Sequence, residues 1–274
     1  MVLSNNASQI SDGCTSAKEA TRDGTALLAF GCMRILHLSD LHYTRKQFDW
    51  VASVAAEYEL VVLSGDLLDI ASVVEPDAQI ADVLDYLAQI ATKTTVIACS
   101  GNHDLNACNE HDERSAAWLA TAGGSRVLVD GARLDAEQVM VTVCPWWDGP
   151  RTRKDVNRQL AEDAMLVGDR LWIWVCHAPP ESSPTSWTGT RHYGDPQLVA
   201  WIDQHRPAIV LCGHIHEAPF ASNGSWIDRC GLTWVFNSGR QIGAVPAHIE
   251  IDSDARLARW LSLNGVEERH LVEV

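Results

Sequence analysis

The sequence predicts an α/β protein whose β-strands are covered by helices on both faces. Short apolar runs recur along the chain, and amphipathic segments with helical spacing alternate with them. Continuous apolar runs are typical of strands buried on both faces, and strand–helix alternation is typical of α/β architectures. Polar side chains of metal-ligand type follow several of these runs. In α/β folds, ligands bind beyond the carboxyl ends of the strands, so we expect the functional site there.

The predicted strands and helices follow from apolar spacing. Apolar residues at helical spacing predict a helix over 47–59, and Pro76 can occupy the first turn of a second helix. The remaining predicted helices are 112–121, 155–167 and 195–205, the last closed by Pro207. The first strand starts at Met33, and the other predicted strands are 60–63, 95–99, 127–129, 138–143, 171–176, 208–212, 233–237, 247–251 and 257–263.

Residues 1–32 differ in composition from the rest of the chain, being rich in Ser, Thr, Ala, Gly, Asp and Asn. Their one apolar cluster, 26–30, is shorter than the apolar region of a signal peptide and follows acidic residues. We therefore expect a disordered tail, with a true start at Met33 as the alternative. Residues 33–274 contain no repeat or low-complexity linker and are predicted to form one domain.

Composition and charge narrow the class of protein and of partner. A length of 274 residues with 46% hydrophobic content predicts a soluble globular protein with a sizeable core. A net charge of −15 repels polyanions, and the only basic run, 151–154, is short, so we expect no nucleic-acid partner. No apolar stretch reaches the length of a membrane span, so we expect no membrane partner.

Eight cysteines are present, but their placement argues against disulfides. Cys99, Cys176 and Cys212 lie in apolar strands, where a reduced cysteine behaves as a small hydrophobic residue. No Cys-x-x-Cys pair occurs, and a chain of this size does not depend on covalent staples. A cytoplasmic location is therefore predicted.

Five of the apolar runs end in side chains that commonly bind metals. The candidate ligands at these strand ends are Asp40, His42, Asp66, Asn102, His177, His214 and His216. A set of carboxylates, imidazoles and an amide oxygen is typical of sites for divalent first-row metals and differs from a zinc site built of thiolates. Seven ligands are too many for one ion but sufficient for two ions bridged by a carboxylate. Such a pair can promote in-line displacement at phosphorus.

His103 follows Asn102 directly and is not needed as a ligand in this count. As an imidazolium it could protonate the leaving oxygen of a phosphate ester, with Asp104 holding its ring. Both residues are therefore predicted to be catalytic.

In this order, Asp40-x-His42, Gly65-Asp66, Gly101-Asn102-His103-Asp104, His177 and Gly213-His214-x-His216 resemble the motifs of the calcineurin-like metallophosphoesterases over about residues 33–240. The resemblance implies two mixed sheets packed as a sandwich and flanked by helices, a four-layer fold. It also implies one metal on Asp40, His42, Asp66 and His216, and a second on Asp66, Asn102, His177 and His214. Asp66 and a hydroxide would bridge two divalent ions (Mn, Fe or Zn), and His103 would contact the phosphoryl group.

Three further residues are candidate substrate contacts. Arg240 follows the strand 233–237, which in this family often ends near the metals, so it could bind phosphate or form a surface ion pair. His192, with Arg191, lies in the long loop 179–196, and loops of that length are often functional. Trp146, with Trp147 and Trp187, could stack a nucleobase or sugar, or could serve packing alone.

The predicted function is metal-dependent hydrolysis of a small phosphate ester by in-line attack of the bridging hydroxide, with His103 assisting the leaving group. A phosphodiesterase acting on cyclic nucleotides or other small diesters is the alternative. A DNA exonuclease is disfavoured by the acidic charge. A non-catalytic binding scaffold is disfavoured because every motif position is present. The sequence leaves the substrate, the metal pair and the oligomeric state open.

Overall fold

Two mixed β-sheets packed face to face form the centre of the computed structural model, which describes residues 33–272. The predicted disordered tail, 1–32, lies outside the described residues. In chain order the strands are β1 (Arg34–Leu38), β2 (Leu60–Ser64), β3 (Thr95–Cys99), β4 (Ala107–Cys108), β5 (Arg114–Ser115), β6 (Val127–Leu128), β7 (Arg133–Asp135), β8 (Val139–Val143), β9 (Leu171–Val175), β10 (Ile209–Cys212), β11 (Ile227–Cys230), β12 (Thr233–Asn237), β13 (His248–Asp252), β14 (Leu257–Ser262) and β15 (Gly265–His270).

The described part of the chain has four α-helices, which lie on the outer faces of the sheets. They are α1 (Arg45–Val54), α2 (Pro76–Ala91), α3 (Pro150–Ala164) and α4 (Pro196–His205). Short 3-10 helices occupy Ala55–Glu57, Leu119–Ala122 and Pro184–Ser186. Within 33–272, no helix has both the length and the apolar character needed to cross a membrane.

The first sheet has seven strands in the order β15-β14-β13-β1-β2-β3-β6, and the second has six in the order β11-β12-β10-β9-β8-β7. Each sheet contains a group of parallel strands, namely β1, β2, β3 and β6 in the first and β8, β9, β10 and β12 in the second. Antiparallel strands flank both parallel groups. The predicted α/β sandwich of mixed sheets is confirmed.

The apolar core is divided into an inner layer between the sheets and two outer layers under the helices. Ile35 on β1 and Ile173 on β9 face the inner layer. The next residue on each strand faces outward, so Leu36 packs with α1 and α2, whereas Trp174 packs with α3 and α4. Alternate side chains of a strand point to opposite faces, which explains why strands buried on both faces have uninterrupted apolar sequences.

One predicted helix, 112–121, is wrong. The segment contains the short strand β5 and the start of a 3-10 helix at Leu119. Its side chains are used in contacts distant in sequence, because Glu113 accepts hydrogen bonds from the amides of Arg151 and Thr152. The same contacts explain why α3 begins at Pro150, five residues earlier than predicted. Glu113, which is distant in sequence, thus caps free amide groups in the first turn of α3.

Five strands go beyond the sequence-based prediction: the short β4 and β5, which pair with each other, and the outer strands β7, β11 and β15. In β15 every residue is exposed, so the sequence Gly265–His270 shows no apolar periodicity. Its hydrogen bonds to β14 define it as a strand. Strand prediction from periodicity depends on a buried face, which an exposed edge strand lacks.

The packing of α2 on the first sheet gives a prediction for stability. Leu87 is fully buried against the outer face of the sheet, whereas Leu232 is 68% exposed in the turn between β11 and β12. We expect Leu87→Ala to lower the free energy of unfolding by about 2–5 kcal/mol, because it leaves a cavity. The matched Leu232→Ala should change it by less than about 0.5 kcal/mol. Urea unfolding measures both; equal midpoints would contradict the burial of Leu87 between α2 and the first sheet.

Candidate metal centre

The predicted ligands come from the carboxyl ends of strands in both sheets. Asp40 and His42 follow β1, Asp66 follows β2 and Asn102 follows β3, all in the first sheet. The second sheet supplies the histidines, His177 after β9 and His214 and His216 after β10. Backbone hydrogen bonds join neighbouring loops: the Asp40 amide donates to Gly65 and the Gly213 amide to His177. Parallel strands thus deliver all of these side chains to one edge of the sandwich.

Several ligand positions have a backbone conformation that is uncommon outside glycine. The φ angles are 57° at Asp40, 41° at His42, 53° at Asp66 and 70° at His214. Residues other than glycine held in this region cost of order 1–3 kcal/mol each and cluster at functional sites. Here the sharp turns direct side chains from separate loops towards a common point.

The side chains form two groups that share Asp66. In the first, Asp40, His42, Asp66 and His216 each offer one ligand atom within 4.8 Å of the others. His216 Nε2 lies 3.2 Å from Asp40 Oδ1, and His42 Nε2 lies 3.6 Å from Asp66 Oδ2. The second group joins Asp66 to His177 and His214 within the same limit. The groups have the composition that the family resemblance implies for two metals, apart from the amide ligand Asn102.

Two buried ligand atoms support the fit to a metal. His177 Nε2 and Asn102 Oδ1 have no hydrogen-bond partner within residues 33–272. The other ring nitrogen of His177, Nδ1, lies 2.8 Å from the Ser64 carbonyl oxygen. A hydrogen bond there puts the proton on Nδ1 and leaves the Nε2 lone pair free for a metal, the usual second partner of a metal-bound histidine. The residues present therefore fit a pair of divalent ions.

The charges of the centre favour a bound cation. Burial opposes ionisation of Asp40, but a hydrogen bond from His216 holds the pKa of Asp40 well below its usual value. Burial also opposes ionisation of Asp66, but the charge of His177 keeps its pKa low. Burial lowers the pKa of His177, but the charge of Asp66, whose Oδ2 lies 3.2 Å from His177 Nε2, raises it to about 9. A metal ion bound at Nε2 would replace the proton held between these two side chains. Burial lowers the pKa of His42 and of His214 to about 4, which favours the neutral imidazoles that bind metals.

Two glycines permit the close approach of the loops. Gly65 has a φ of 89°, and a Cβ atom there would lie 2.4 Å from His177 Nδ1. At Gly101 a Cβ atom would lie 2.2 Å from Asp66 Oδ1 and 2.5 Å from the Asp66 amide nitrogen. Any side chain at these positions would displace His177 or Asp66. The glycines that precede ligands in the sequence thus have a steric role.

His103 lies at the edge of the centre and is half-buried. Its Nε2 atom is 4.0 Å from Asp66 Oδ2, and its ring meets the His42 ring edge-on at 4.5 Å between centroids. The amide of Ile70 donates to Nδ1 at 3.4 Å, which leaves the proton of the neutral ring on Nε2, the atom nearer Asp66. The Nε2 atom of His103 therefore lies on the side of the centre.

Asp104 does not hold the His103 ring, contrary to the sequence-based expectation. Within the described chain, its carboxylate accepts hydrogen bonds from the amides of Leu67, Leu68 and Gly101. Burial and the charge of Asp66 raise its pKa to about 7. Asp104 thus braces the loops that carry Asp66 and Asn102. Besides Asp66, the acidic residue near His103 within the described chain is Asp69, because the Asp69 carboxylate, His103 and His42 each offer an atom within 4.8 Å of the others.

The candidate substrate contacts occupy different places around the centre. Arg240 lines a cleft with His216, and its amide donates to the His216 carbonyl oxygen at 3.2 Å. Trp146 packs on the His177 and His214 rings, with centroids 5.7 and 5.4 Å away. It is held there by a hydrogen bond from its amide to Ser100 Oγ.

His192 is used within its own loop. Its Nδ1 atom lies 3.0 Å from the Ser183 carbonyl oxygen and its ring packs on Trp187. The next residue, Tyr193, stacks on the His214 ring at 5.8 Å and is 53% exposed. No sequence pattern indicates that Tyr193 rather than His192 reaches the centre, because the path of the loop 179–196 decides it.

Comparison with known proteins agrees with this architecture. TT1561 of Thermus thermophilus superposes with a TM-score of 0.56 at 14% sequence identity, over 88% of this chain and 100% of that one. Purple acid phosphatase PPD1 from yellow lupin (Lupinus luteus) seeds superposes with a TM-score of 0.54 at 12% identity, over 88% of this chain and 52% of that one. At such identities the likeness shows the fold alone.

No curated protein matches the chain in sequence. A family model described as the calcineurin-like phosphoesterase superfamily domain matches residues 33–250. Because this match spans well over half of the 274 residues, the chain belongs to the calcineurin-like phosphoesterase superfamily.

Proposed function

We propose that the protein is a dinuclear metal-dependent phosphoesterase that hydrolyses a small phosphate ester. The observation that carries the proposal is the pair of ligand groups sharing the buried Asp66. One ion would be held by Asp40, His42, Asp66 and His216, and the other by Asp66, Asn102, His177 and His214. When bound, two divalent ions (Mn, Fe or Zn) supply charge neutralisation for the phosphoryl group and a water activated near neutral pH.

The residues around the ligands would complete the reaction. His103 would act as an imidazolium, giving its Nε2 proton to the leaving oxygen and returning to the neutral ring. The nearby Asp69 offers that ring an acidic neighbour outside the two ligand groups. Arg240, beside His216, would bind a non-bridging phosphoryl oxygen.

A phosphodiesterase that acts on cyclic nucleotides or other small diesters is the second candidate. The aromatic rings of Trp146 and Tyr193, both packed on His214, favour it, because a nucleobase or an aromatic ester could stack there. For location we propose the cytoplasm, which is supported by six described cysteines that are all free thiols.

Turnover of two model substrates tests the proposed function. We expect the manganese-loaded protein to hydrolyse p-nitrophenyl phosphate, bis-p-nitrophenyl phosphate or both, with faster diester cleavage favouring the second candidate. Asp66→Asn should abolish turnover and lower the metal content, because Asp66 belongs to both ligand groups. Asp85→Asn, an exposed position on α2, is the matched control. An Asp66→Asn protein that keeps both metals and its rate would refute the assignment.

Gly101 provides a separate test of the metal site. Gly101→Ala should weaken metal binding, because the added Cβ atom would collide with Asp66 Oδ1 and its amide. Gly124→Ala is the control, since a Cβ atom there meets nothing within 4 Å. Metal content after dialysis, measured by elemental analysis, should fall for Gly101→Ala alone. Equal metal content in the two variants would contradict the proposed location of the site.

The role of His103 is tested by varying the leaving group. His103→Ala should keep its metals and lose about 10²–10⁴-fold in rate on phenyl phosphate, whose poor leaving group needs a proton. The loss should be much smaller on p-nitrophenyl phosphate, whose leaving group departs as a stable anion. Rates on both esters, with metal content as the control, separate this role from a structural one. The same loss on both esters would exclude proton donation by His103.

A further inference from the structure

A cleft opens beside the metal centre, between the loop that follows β10 and the loop that follows β12. His216 and Arg240 line it together with the apolar side chains of Phe220, Ala221 and Ile242, and it is named the Phe220–Ile242 cleft. Its volume is about 540 Å³, within the range of pockets that hold small molecules. Because His216 also belongs to the first ligand group, the cleft is continuous with the centre.

The Phe220 wall of the Phe220–Ile242 cleft is held by contacts with the core. The Phe220 ring packs edge-on against Trp260 at 5.1 Å, and Trp260 is buried with its Nε1 donating to the Ser238 carbonyl oxygen. The two loops touch closely, because a Cβ atom on Gly239 would lie 2.7 Å from Pro219 Cγ. A wall held in this way loses little conformational entropy when a ligand binds against it.

The composition of the Phe220–Ile242 cleft is uneven. At its polar end the cleft is lined by His216, Arg240, Glu217 and Gln241, of which Arg240 supplies a positive charge in a chain whose net charge is −15. Phe220, Ala221 and Ile242 form an apolar wall, and Ile242 is 86% exposed. Single exposed isoleucines are common on protein surfaces, but one that extends an apolar wall beside a cation suits an amphiphilic ligand.

The geometry points to the Phe220–Ile242 cleft as the site for the organic group of the substrate. We propose that the substrate is a small amphiphilic phosphate ester. This inference rests on the proposed function, because the phosphoryl group is taken to bind at the metal centre and Arg240. The organic group then extends over Phe220, Ala221 and Ile242 and is largely apolar. A bare sugar phosphate would leave this wall uncovered and would bind less well.

Phosphonates test the inference without requiring turnover, because their carbon–phosphorus bond is not hydrolysed. We compare phenylphosphonate with methylphosphonate, by calorimetry on the manganese-loaded protein. The wild-type protein should bind phenylphosphonate about tenfold more tightly, since the ring buries apolar area in the Phe220–Ile242 cleft. Ile242→Ser should reduce this preference to about threefold or less. Arg240→Gln should weaken the binding of both phosphonates and leave their ratio unchanged.

Two control variants keep the test specific. Leu232→Ser removes an exposed apolar side chain at the far end of β12 and should leave the preference intact. Tyr193→Ser alters the aromatic side of the centre, next to His214. If Tyr193→Ser abolishes the preference and Ile242→Ser does not, the organic group binds on that other side and the inference is overturned. Equal affinity of the wild-type protein for both phosphonates, or for neither, also overturns it.

Failure of this inference is distinguishable from failure of the proposed function. If the protein hydrolyses p-nitrophenyl phosphate but shows no preference between the phosphonates, the proposed function stands and the cleft is not the site of the organic group. If the metal-loaded protein prefers phenylphosphonate but hydrolyses no ester, the cleft stands as a binding site and the proposed function is wrong.

Discussion

The structure depends on the placement of two buried carboxylates opposite a set of imidazoles. The first sheet supplies Asp40 and Asp66, and the second supplies only histidines: His177, His214 and His216. Both carboxylates are almost completely buried, which is unfavourable for an ionised group unless a cation or hydrogen bonds compensate. Packing of the two sheets brings both carboxylates, with His42 beside them, against the three histidines of the second sheet. The geometry of the centre therefore depends on how the two sheets pack against each other.

Local backbone geometry determines where each ligand loop places its side chains. The ligand loops leave parallel strands at the same edge and turn at once through left-handed conformations at Asp40, His42 and Asp66. Asp104 stabilises the turn at Asp66, because its carboxylate accepts hydrogen bonds from the amides of Leu67 and Leu68. The strained backbone at Asp66 is thus compensated by hydrogen bonds to Asp104, a residue outside the two ligand groups.

The sequence was sufficient to predict the α/β fold and the strand ends that carry ligands, because both follow from patterns within a few residues. An apolar run followed by Asp or His is visible in the sequence wherever it occurs. Contacts between distant segments were not visible. Glu113 caps α3 from outside the helix, Asp69 rather than Asp104 lies beside His103, and Tyr193 reaches His214 only through the path of its loop. Each of these depends on how loops from different strands meet, which no local pattern encodes.

The surroundings of the centre are asymmetric, and the asymmetry limits how a phosphate ester can bind. On the side of His177 and His214, aromatic rings surround the centre: Trp146 packs on both imidazole rings and Tyr193 on that of His214. On the side of His216, the wall is an open cleft lined in part by Arg240. His103 lies next to His42, which shares the first ligand group with His216. The open cleft and His103 thus adjoin the same ligand group, so an ester that bound as proposed would keep its leaving oxygen on the side of the centre where His103 lies.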